Sequence, residues 1–303
     1  MMTYDQDTLE ALALLQLEGV GPATARKVLS AGGLLSAVLG RLQNPRSETE
    51  WQSAKTEAGE ILERSRELSI HVIGINTTLY PPLLRQIPDP PVVIYVKGDV
   101  HLLHKKGIAV VGTRKVSVSG TRLTQLVSGF VAKRGYTVVS GLALGVDALA
   151  HEAALEASGL TVAVLAHGLD TVSPASNRKL AERILLSGGV LMSEHPPGFP
   201  ARPAEFVRRN RLQSGLSLGS IVVESGVEGG SMHQARFTKA QGRRLMTVLA
   251  SSDETRGDLN ECGARELISS LGAIPLKTLS DVGRELDALK LPEIGRKKEG
   301  DLF

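Results

Sequence analysis

Five segments decide the fold: IAVVGTR (108–114), TVVSGLALGVD (137–147), TVAVLAHGLD (161–170), VLMSEH (190–195) and SIVVESG (220–226). Each begins as an apolar run of strand-forming residues and ends in a polar loop, most of them rich in glycine. In an open parallel α/β sheet, ligands bind beside the carboxyl ends of the strands. The five loops therefore predict one site, at one edge of a sheet, for a phosphorylated ligand.

Apolar runs alternate with helical segments from Ile108 onward, and one earlier strand lies at the join between the domains. Strands are predicted at Val92–Val96, Ile108–Val111, Thr137–Val139, Thr161–Ala166, Val190–Met192, Ser220–Glu224 and Leu245–Leu249. Helices are predicted at Thr121–Arg134, Val146–Ala157, Asn177–Leu186, Glu205–Leu216, Ser231–Gln241 and Ala264–Leu271. This alternation is typical of βαβ units and indicates an α/β fold with a parallel sheet.

The first 70 residues predict a small helical domain, because apolar positions recur at three- and four-residue spacing from Leu9 to about Ser69. The segment LEGVGPATA (17–25) interrupts this pattern and resembles the helix-hairpin-helix turn of SAM-like domains. Its glycines permit a tight turn, and Pro22 suits the first position of the next helix. Two interpretations stay open: a phosphate site at a helix N-terminus, or a connector that only packs two helices.

Prolines mark the join to the main domain, which we place at residues 71–275. Tyr80-Pro81-Pro82 and Asp89-Pro90-Pro91 exclude a helix and favour extended or turn geometry. The remaining residues, 276–303, are predicted to form a C-terminal tail that is partly disordered.

The composition fits an intracellular globular protein. A chain of 303 residues suggests about two domains, and its net charge is only +3. The single cysteine, Cys262, excludes an intrachain disulfide and a cysteine-based zinc cluster. No signal-peptide pattern opens the sequence, and no apolar run approaches the roughly 18 residues of a membrane span. We therefore expect a cytoplasmic location and no membrane partner.

Gly112 and Arg114 follow directly after a predicted strand. Gly112 allows a sharp turn, and the Arg114 guanidinium matches phosphate oxygens in bidentate geometry. A phosphate contact is favoured over the alternative, a surface arginine paired with a neighbouring loop. The Gly-x-Gly-x-x-Gly fingerprint of dinucleotide-binding proteins is absent from this turn.

A second loop precedes the helix near residue 146 and contributes three candidates: Ser140, Gly141 and Gly145. Its backbone is suited to cradle a phosphate at the helix N-terminus. Asp147 alternatively complements the helix dipole. His151 lies one turn further along, where a structural hydrogen bond is expected rather than a catalytic pair.

The predicted helix Glu205–Leu216 holds four further phosphate-binding candidates: Arg208, Arg209, Asn210 and Arg211. Consecutive helical positions point in different directions, so not all four can face one site. Arg209 is the first choice and Arg211 the second. Phe206 either anchors the core, which is favoured, or offers a surface for base stacking. Gly230 and Ser231 open the next helix, where Ser231 either caps the helix or binds phosphate.

These segments resemble the DprA/Smf family of DNA-processing proteins. The motifs that carry the resemblance are GTR (112–114), SGLALGVD (140–147), AH (150–151), GLD (168–170), SE (193–194), Phe206 with RNR (209–211), and GS (230–231). The resemblance spans about Gly19 to Ala273. It implies an extended Rossmann-like sheet and a homodimer that binds single-stranded DNA and helps load the recombinase RecA in natural transformation. The site residues that it implies are Arg114, Gly141, Arg209, Asn210, Arg211 and Ser231.

The sequence departs from the family pattern at three places. Ser173-Pro174 stands where members usually have Tyr-Pro, and Leu249-Ala250 stands where they have Pro-Gly. The chain also stops too early for the C-terminal winged helix of many members. These departures leave a diverged role, such as phage defence, open beside transformation.

Two other functions stay open. The segment EGGSMHQ (228–234) partly matches the Pro-Gly-Gly-x-Gly-Thr loop of nucleoside-monophosphate phosphoribohydrolases, and Glu224 would be the residue on which base release depends. A sensor of a small nucleotide would use the same glycine-lined pocket. We expect a binding protein rather than an enzyme, with no cofactor and no metal.

Overall fold

The computed structural model describes residues 5–30, 47–252 and 257–290. Three helices open the chain: α1 (Gln6–Gln16), α2 (Pro22–Ser30) and α3 (Glu48–Glu67). The predicted turn between α1 and α2 is confirmed, since Pro22 is the first residue of α2 and Gly19 has a φ of +74°. Helix α3 starts with a capping box in which Ser47 and Glu50 exchange hydrogen bonds with each other's backbone.

Within the described residues, nine strands form one sheet: β1 (His71–Gly74), β2 (Val93–Gly98), β3 (Gly107–Val111), β4 (Thr137–Ser140), β5 (Thr161–Val164), β6 (Val190–Ser193), β7 (Gly219–Val222), β8 (Arg244–Val248) and β9 (Ile274–Leu276). The order across the sheet is β1-β2-β6-β5-β4-β3-β7-β8-β9. Strand β2 pairs antiparallel with both of its neighbours, β1 at the edge and β6, and the other six pairs are parallel. The predicted α/β class with an extended parallel sheet is therefore confirmed.

The chain reverses its direction of travel across the sheet at β3. From β3 it proceeds through β4 and β5 to β6 on one side, and β7 then begins the other side next to β3. A crevice opens at such a switch point beyond the carboxyl ends of the two diverging strands. The topology therefore places a candidate binding site at the ends of β3 and β7.

Helices cover both faces of the sheet. The remaining described α-helices are α4 (Pro82–Arg85), α5 (Val118–Lys133), α6 (Val146–Glu156), α7 (Arg178–Leu186), α8 (Pro203–Gly215), α9 (Gly230–Ala240), α10 (Cys262–Leu271) and α11 (Leu279–Asp287). The expectation that prolines exclude a helix is wrong at α4, because Pro82 occupies the first helical position, which proline tolerates. Alternating strand residues feed two apolar layers, as Ile94 and Tyr95 of β2 enter different core clusters. No helix among the described segments has the length and apolar character that a membrane crossing requires.

The segment predicted as a partly disordered tail is ordered where the structure describes it. Strand β9 extends the parallel sheet beyond β8, and α11 follows it with Val282 and Leu286 buried. These apolar side chains pack into the same cluster as β3 and β8, which offsets the entropy cost of ordering the segment. Residues 291–303 of the predicted tail lie outside the described residues.

Candidate functional site

A cavity of about 560 Å³ opens at the carboxyl ends of β3 and β7. Three segments form most of its wall: the loop after β3, the loop between β7 and α9, and one face of α8. The lining residues include Gly112, Thr113, Arg114, Ala143, Asp147, Phe206, Arg209, Asn210, Gln213, Ser225, Gly230, Ser231 and Gln234. Six of the sequence-predicted site residues therefore share one cavity: Gly112, Arg114, Arg209, Asn210, Gly230 and Ser231.

Arg114 projects from the loop after β3 and is exposed. Its guanidinium carbon lies 5.6 Å from the centroid of the Phe206 ring, within range of a cation–π contact. The Thr113 N–H fixes the loop by donating to the Glu224 carbonyl at 2.8 Å. Gly112 is needed there because a Cβ atom would lie 2.7 Å from that same carbonyl oxygen. Arg114 has no hydrogen bond or ion pair to any described residue, so its charge is available to a ligand.

Helix α8 presents one stripe to the cavity. Phe206, Arg209, Asn210 and Gln213 recur at three- and four-residue spacing and therefore share one face. Arg208 and Arg211 lie on other faces and do not line the cavity. The spacing of the stripe thus decides which members of the basic cluster reach the site.

Arg209 lies in the cavity wall, but its guanidinium is engaged by the protein. Nη1 donates to the Val164 carbonyl, and the Gln213 side-chain oxygen, suitably oriented, accepts from Nε and Nη1 at 3.0 and 2.9 Å. The guanidinium packs against Gly141, where a Cβ atom would overlap it. Burial lowers the Arg209 pKa to about 10, and the Asp147 carboxylate partly offsets this effect.

Arg211 is held by acidic side chains away from the cavity. Its guanidinium donates to both Glu194 oxygens at 2.6 and 2.9 Å and to Asp89 at 2.7 Å. These carboxylates raise the Arg211 pKa despite its burial. The predicted placement of Arg211 in the site is therefore wrong: a buried, doubly paired guanidinium has no free donor face for a phosphate. Arg208 is exposed and likewise lies outside the cavity.

The loop between β4 and α6 borders the cavity. Its three predicted site residues, Ser140, Gly141 and Gly145, do not line the cavity. The Ser140 hydroxyl donates to the Val110 carbonyl at 2.7 Å, and the Gly141 N–H donates to Asp147 at 3.1 Å. Gly145 has a φ of +77° and packs directly on the loop that carries Arg114. The Val146 N–H at this helix N-terminus donates to the Thr113 carbonyl at 3.1 Å.

The N-terminus of α9 faces the cavity instead. Its N-cap residue is Gly229, which offers no side chain to the first N–H groups of the helix. The backbone N–H groups of Gly230 and Ser231 donate to no acceptor in the described part of the chain. The Ser231 hydroxyl lies 2.6 Å from that of Ser225, and the Asn210 amide donates to the Gly230 carbonyl at 3.2 Å. These N–H groups and the positive end of the helix dipole suit an anion.

Asp147 and His151 do not form a catalytic pair. The His151 ring lies 2.6 Å from the Thr161 hydroxyl, which itself donates to the Val138 carbonyl. Nδ1 must therefore be the donor, and burial lowers the His151 pKa to about 3. Burial also raises the pKa of Asp147, against the opposing charge of Arg209. His151 therefore makes a structural hydrogen bond, but its partner is Thr161 rather than Asp147, which was the partner expected.

Glu194, His195 and Glu205 are the described residues whose ligand atoms come within 4.8 Å of one another. His195 hydrogen bonds to Glu205 at 3.2 Å, and Glu194 is committed to Arg211. The group is thus satisfied by protein contacts, and its geometry alone does not indicate a metal site.

Sequence reasoning missed several cavity residues, among them Thr113, Gln213 and Gln234. Gln213 follows Arg209 by four residues, and Gln234 follows Ser231 by three, so helical spacing was the available signal. Phe206 faces the cavity beneath Arg114 rather than the core. The favoured interpretation of Phe206 as a core anchor is therefore wrong.

Comparisons with known proteins identify the family. The sequence model of the family described as DNA recombination-mediator protein A matches residues 71–287. Protein Smf of Escherichia coli (strain K12) is 42% identical over 59% of this chain and 48% of its own length. Protein Smf of a Synechocystis strain is 33% identical over 88% of this chain and 73% of its own. The chain spans about half the length of the Escherichia coli relative.

Two solved structures are also similar. The DNA processing protein A (DprA) of Streptococcus pneumoniae aligns with a TM-score of 0.77 and 27% identity, covering 96% of this chain and 100% of that one. The DprA of Helicobacter pylori, described with its mode of binding single-stranded DNA, aligns with a TM-score of 0.62 and 28% identity, covering 72% and 95%. The family model matches most of the chain, and the Synechocystis relative aligns with 88% of it. The chain belongs to the DNA recombination-mediator protein A family.

Proposed function

We propose that this protein binds single-stranded DNA in the cavity at the ends of β3 and β7 and acts as a recombination mediator without catalysing a reaction. One observation carries the proposal: the unpaired Arg114 guanidinium and the open N-terminus of α9 line the same cavity. A cation with a free donor face and unbonded backbone N–H groups together suit a phosphate. The Helicobacter pylori relative, described as binding single-stranded DNA, supports the choice of ligand.

The cavity favours a single strand over a duplex. The Phe206 ring beside Arg114 offers an aromatic surface in the same wall as the phosphate donors. A base stacks on such a surface only when it is released from pairing. Asn210, with its side chain at the α9 N-terminus, supplies a further polar group for the backbone or a base.

The wider role follows the family and forms part of the same proposal. We expect a homodimer that delivers single-stranded DNA to the recombinase RecA in the cytoplasm, in natural transformation or in a diverged role such as phage defence. Of the predicted site residues, Gly112, Arg114, Asn210, Gly230 and Ser231 keep a place at the ligand, and Arg209 shapes the wall.

A nucleotide-hydrolysing function is not favoured. Glu224, the residue on which that function would depend, is buried and accepts hydrogen bonds from Ser117 and Asn260 through its carboxylate. It does not line the cavity. A carboxylate committed in this way is not free to assist cleavage of a glycosidic bond.

The test is a fluorescence-anisotropy titration of labelled oligo-dT and a matched duplex at two salt concentrations. We expect tighter binding of the single strand and a steep loss of affinity with salt, because bound phosphates release counterions. Arg114→Ala should weaken binding about tenfold and lower the salt slope by roughly one. Lys133→Ala removes one charge from the far end of α5 and serves as the matched control.

No binding at low salt, or equal losses for Arg114→Ala and Lys133→Ala, would contradict the proposal. Thermal stabilisation by a free mononucleotide, without binding of oligo-dT, would favour the sensor of a small nucleotide instead.

A further inference from the structure

Glu224, just after the end of β7, hydrogen bonds to both ends of the loop that carries Arg114. The Glu224 carbonyl accepts from the Thr113 N–H at 2.8 Å, just before Arg114. Its side-chain Oε2 accepts from the Ser117 N–H at 3.0 Å and from the Ser117 hydroxyl at 3.1 Å, three residues after Arg114. The loop is therefore closed at both ends on Glu224, with Arg114 between the two attachments.

Gly112 and Gly120 leave the space that Glu224 occupies. A Cβ atom on Gly112 would lie 2.7 Å from the Glu224 carbonyl oxygen, and one on Gly120 would overlap its Oε2. Gly112 precedes the loop, and Gly120 follows it in the first turn of α5. Side chains at either position would force Glu224 away, so the close approach is part of how the loop is built.

The Glu224 carboxylate accepts three hydrogen bonds, all of them from neutral donors. Its Oε1 accepts from the Asn260 N–H at 3.0 Å, which ties a third segment to the same side chain. Glu224 is only 3% exposed, so water does not replace a lost contact easily. Replacing one carboxylate oxygen with an amide NH2 group would place a donor against the N–H group of Ser117 or Asn260, and that hydrogen bond would be lost.

We infer that Glu224 is a positioning residue for the bound strand, because it fixes the loop from which Arg114 contacts phosphate. The inference rests on the proposed function. An exposed arginine on a mobile loop loses conformational entropy when it binds, and a fixed loop reduces that cost. Glu224 itself does not line the cavity, so we expect its effect on binding to pass through Arg114.

A double-mutant cycle tests this dependence. Glu224→Gln keeps the side-chain volume but replaces one acceptor with an amide donor. We expect it to weaken oligo-dT binding about fivefold when Arg114 is present and less than about twofold in the Arg114→Ala background, since coupled residues are not additive. A general loss of stability would reduce binding equally in both backgrounds.

Asp258→Asn is the matched control. Its carboxylate accepts from the Val118 and Ser119 N–H groups at 2.9 Å each, so the change weakens the same helix end. It does not touch the Thr113 or Ser117 attachments, and binding should stay within about twofold of wild type. If Glu224→Gln fails to fold, Ser117→Ala removes the hydroxyl contact with Glu224, together with the cap that this hydroxyl provides for the Gly120 N–H. It should show the same dependence on Arg114, at about two- to threefold.

The outcomes separate the two claims. If binding depends on Arg114 but Glu224→Gln weakens it equally in both backgrounds, or does not weaken it, only the positioning role is overturned. Equal losses for Asp258→Asn and Glu224→Gln also overturn it. Absence of single-strand binding, or binding that ignores Arg114, overturns the proposed function and this inference together.

Discussion

At the scale of single residues, the basic cluster on α8 divides into charges with different tasks. Arg209 is 4% exposed and bonded to Val164 and Gln213, whereas Arg208 is exposed. Removing a buried cation leaves its acceptors and the nearby Asp147 carboxylate uncompensated. We expect Arg209→Ala to lower the free energy of unfolding by about 3 kcal/mol, and Arg208→Ala to change it by no more than about 0.5 kcal/mol.

Urea denaturation at neutral pH measures both values. If Arg209→Ala is as stable as Arg208→Ala and weakens only DNA binding, then Arg209 is a ligand contact rather than a structural cation. The change in salt slope expected for a phosphate contact would then belong to Arg209.

His151 gives the fold a specific sensitivity to acid. Burial lowers its pKa from 6.5 to about 3 in the folded state. Between these values the unfolded chain binds a proton that the folded chain does not, so stability falls as the pH drops below 6.5. One such group contributes a loss of up to about 1.4 kcal/mol per pH unit in that window.

The measurement compares wild type with His151→Gln by urea denaturation at pH 7, 6 and 5. The variant retains a donor for the Thr161 hydroxyl but carries no titrating ring. Its stability should fall less steeply below pH 6.5, and the difference between the two curves isolates the histidine. Parallel curves would show that His151 does not carry this dependence.

At the scale of elements, β9 and α11 extend the fold into the segment predicted as a tail. Leu286 of α11 is fully buried, whereas Leu279 on the same helix is 38% exposed. We expect Leu286→Ala to destabilise the protein by about 3 kcal/mol through lost burial and a residual cavity. Leu279→Ala, the control, should cost no more than about 1 kcal/mol.

Thermal or urea unfolding of the two variants decides the point. A neutral Leu286→Ala would mean that α11 contributes little to the core. Packing of Leu286 with β3 and β8 would then add nothing measurable to stability.

The same elements show what the sequence can predict. The central parallel strands were predicted within a few residues, because buried apolar runs between glycine loops carry a strong local signal. Strand β9 was missed because it has three residues and contains Pro275, which normally argues against a strand. Its edge position explains the tolerance, since only one side of an edge strand needs ladder hydrogen bonds.

The site was predictable to the extent that it depends on local spacing. Arg114 follows a strand directly, and Ser231 begins a helix, so both positions are fixed by neighbouring residues. The fate of Arg211 depends on Glu194 and Asp89, which are distant in the sequence and meet it only in the folded chain. Ion pairs between distant residues produce no periodic pattern in the sequence. For this reason Arg211 was predicted to lie in the site.

At the scale of the whole molecule, the N-terminal helices and the sheet share one core. Leu12 of α1 and Trp51 of α3 belong to the same apolar cluster as Tyr95 of β2. The Gly74 N–H of β1 donates to the Thr8 hydroxyl of α1 at 3.1 Å in a buried contact. The domain boundary predicted at residue 70 therefore separates helices from strands in the chain, but it does not divide this cluster.

This continuity predicts that the described parts unfold as one unit. Trp51 is the single tryptophan of the chain and is 4% exposed, so its fluorescence reports only on the N-terminal helices. Far-ultraviolet circular dichroism reports mainly on the larger α/β part. Because coincident transitions indicate cooperative unfolding, both signals should change at the same urea concentration. Leu12→Ala should lower both midpoints together, whereas a fluorescence transition that moves alone would show that the N-terminal helices unfold independently of the sheet.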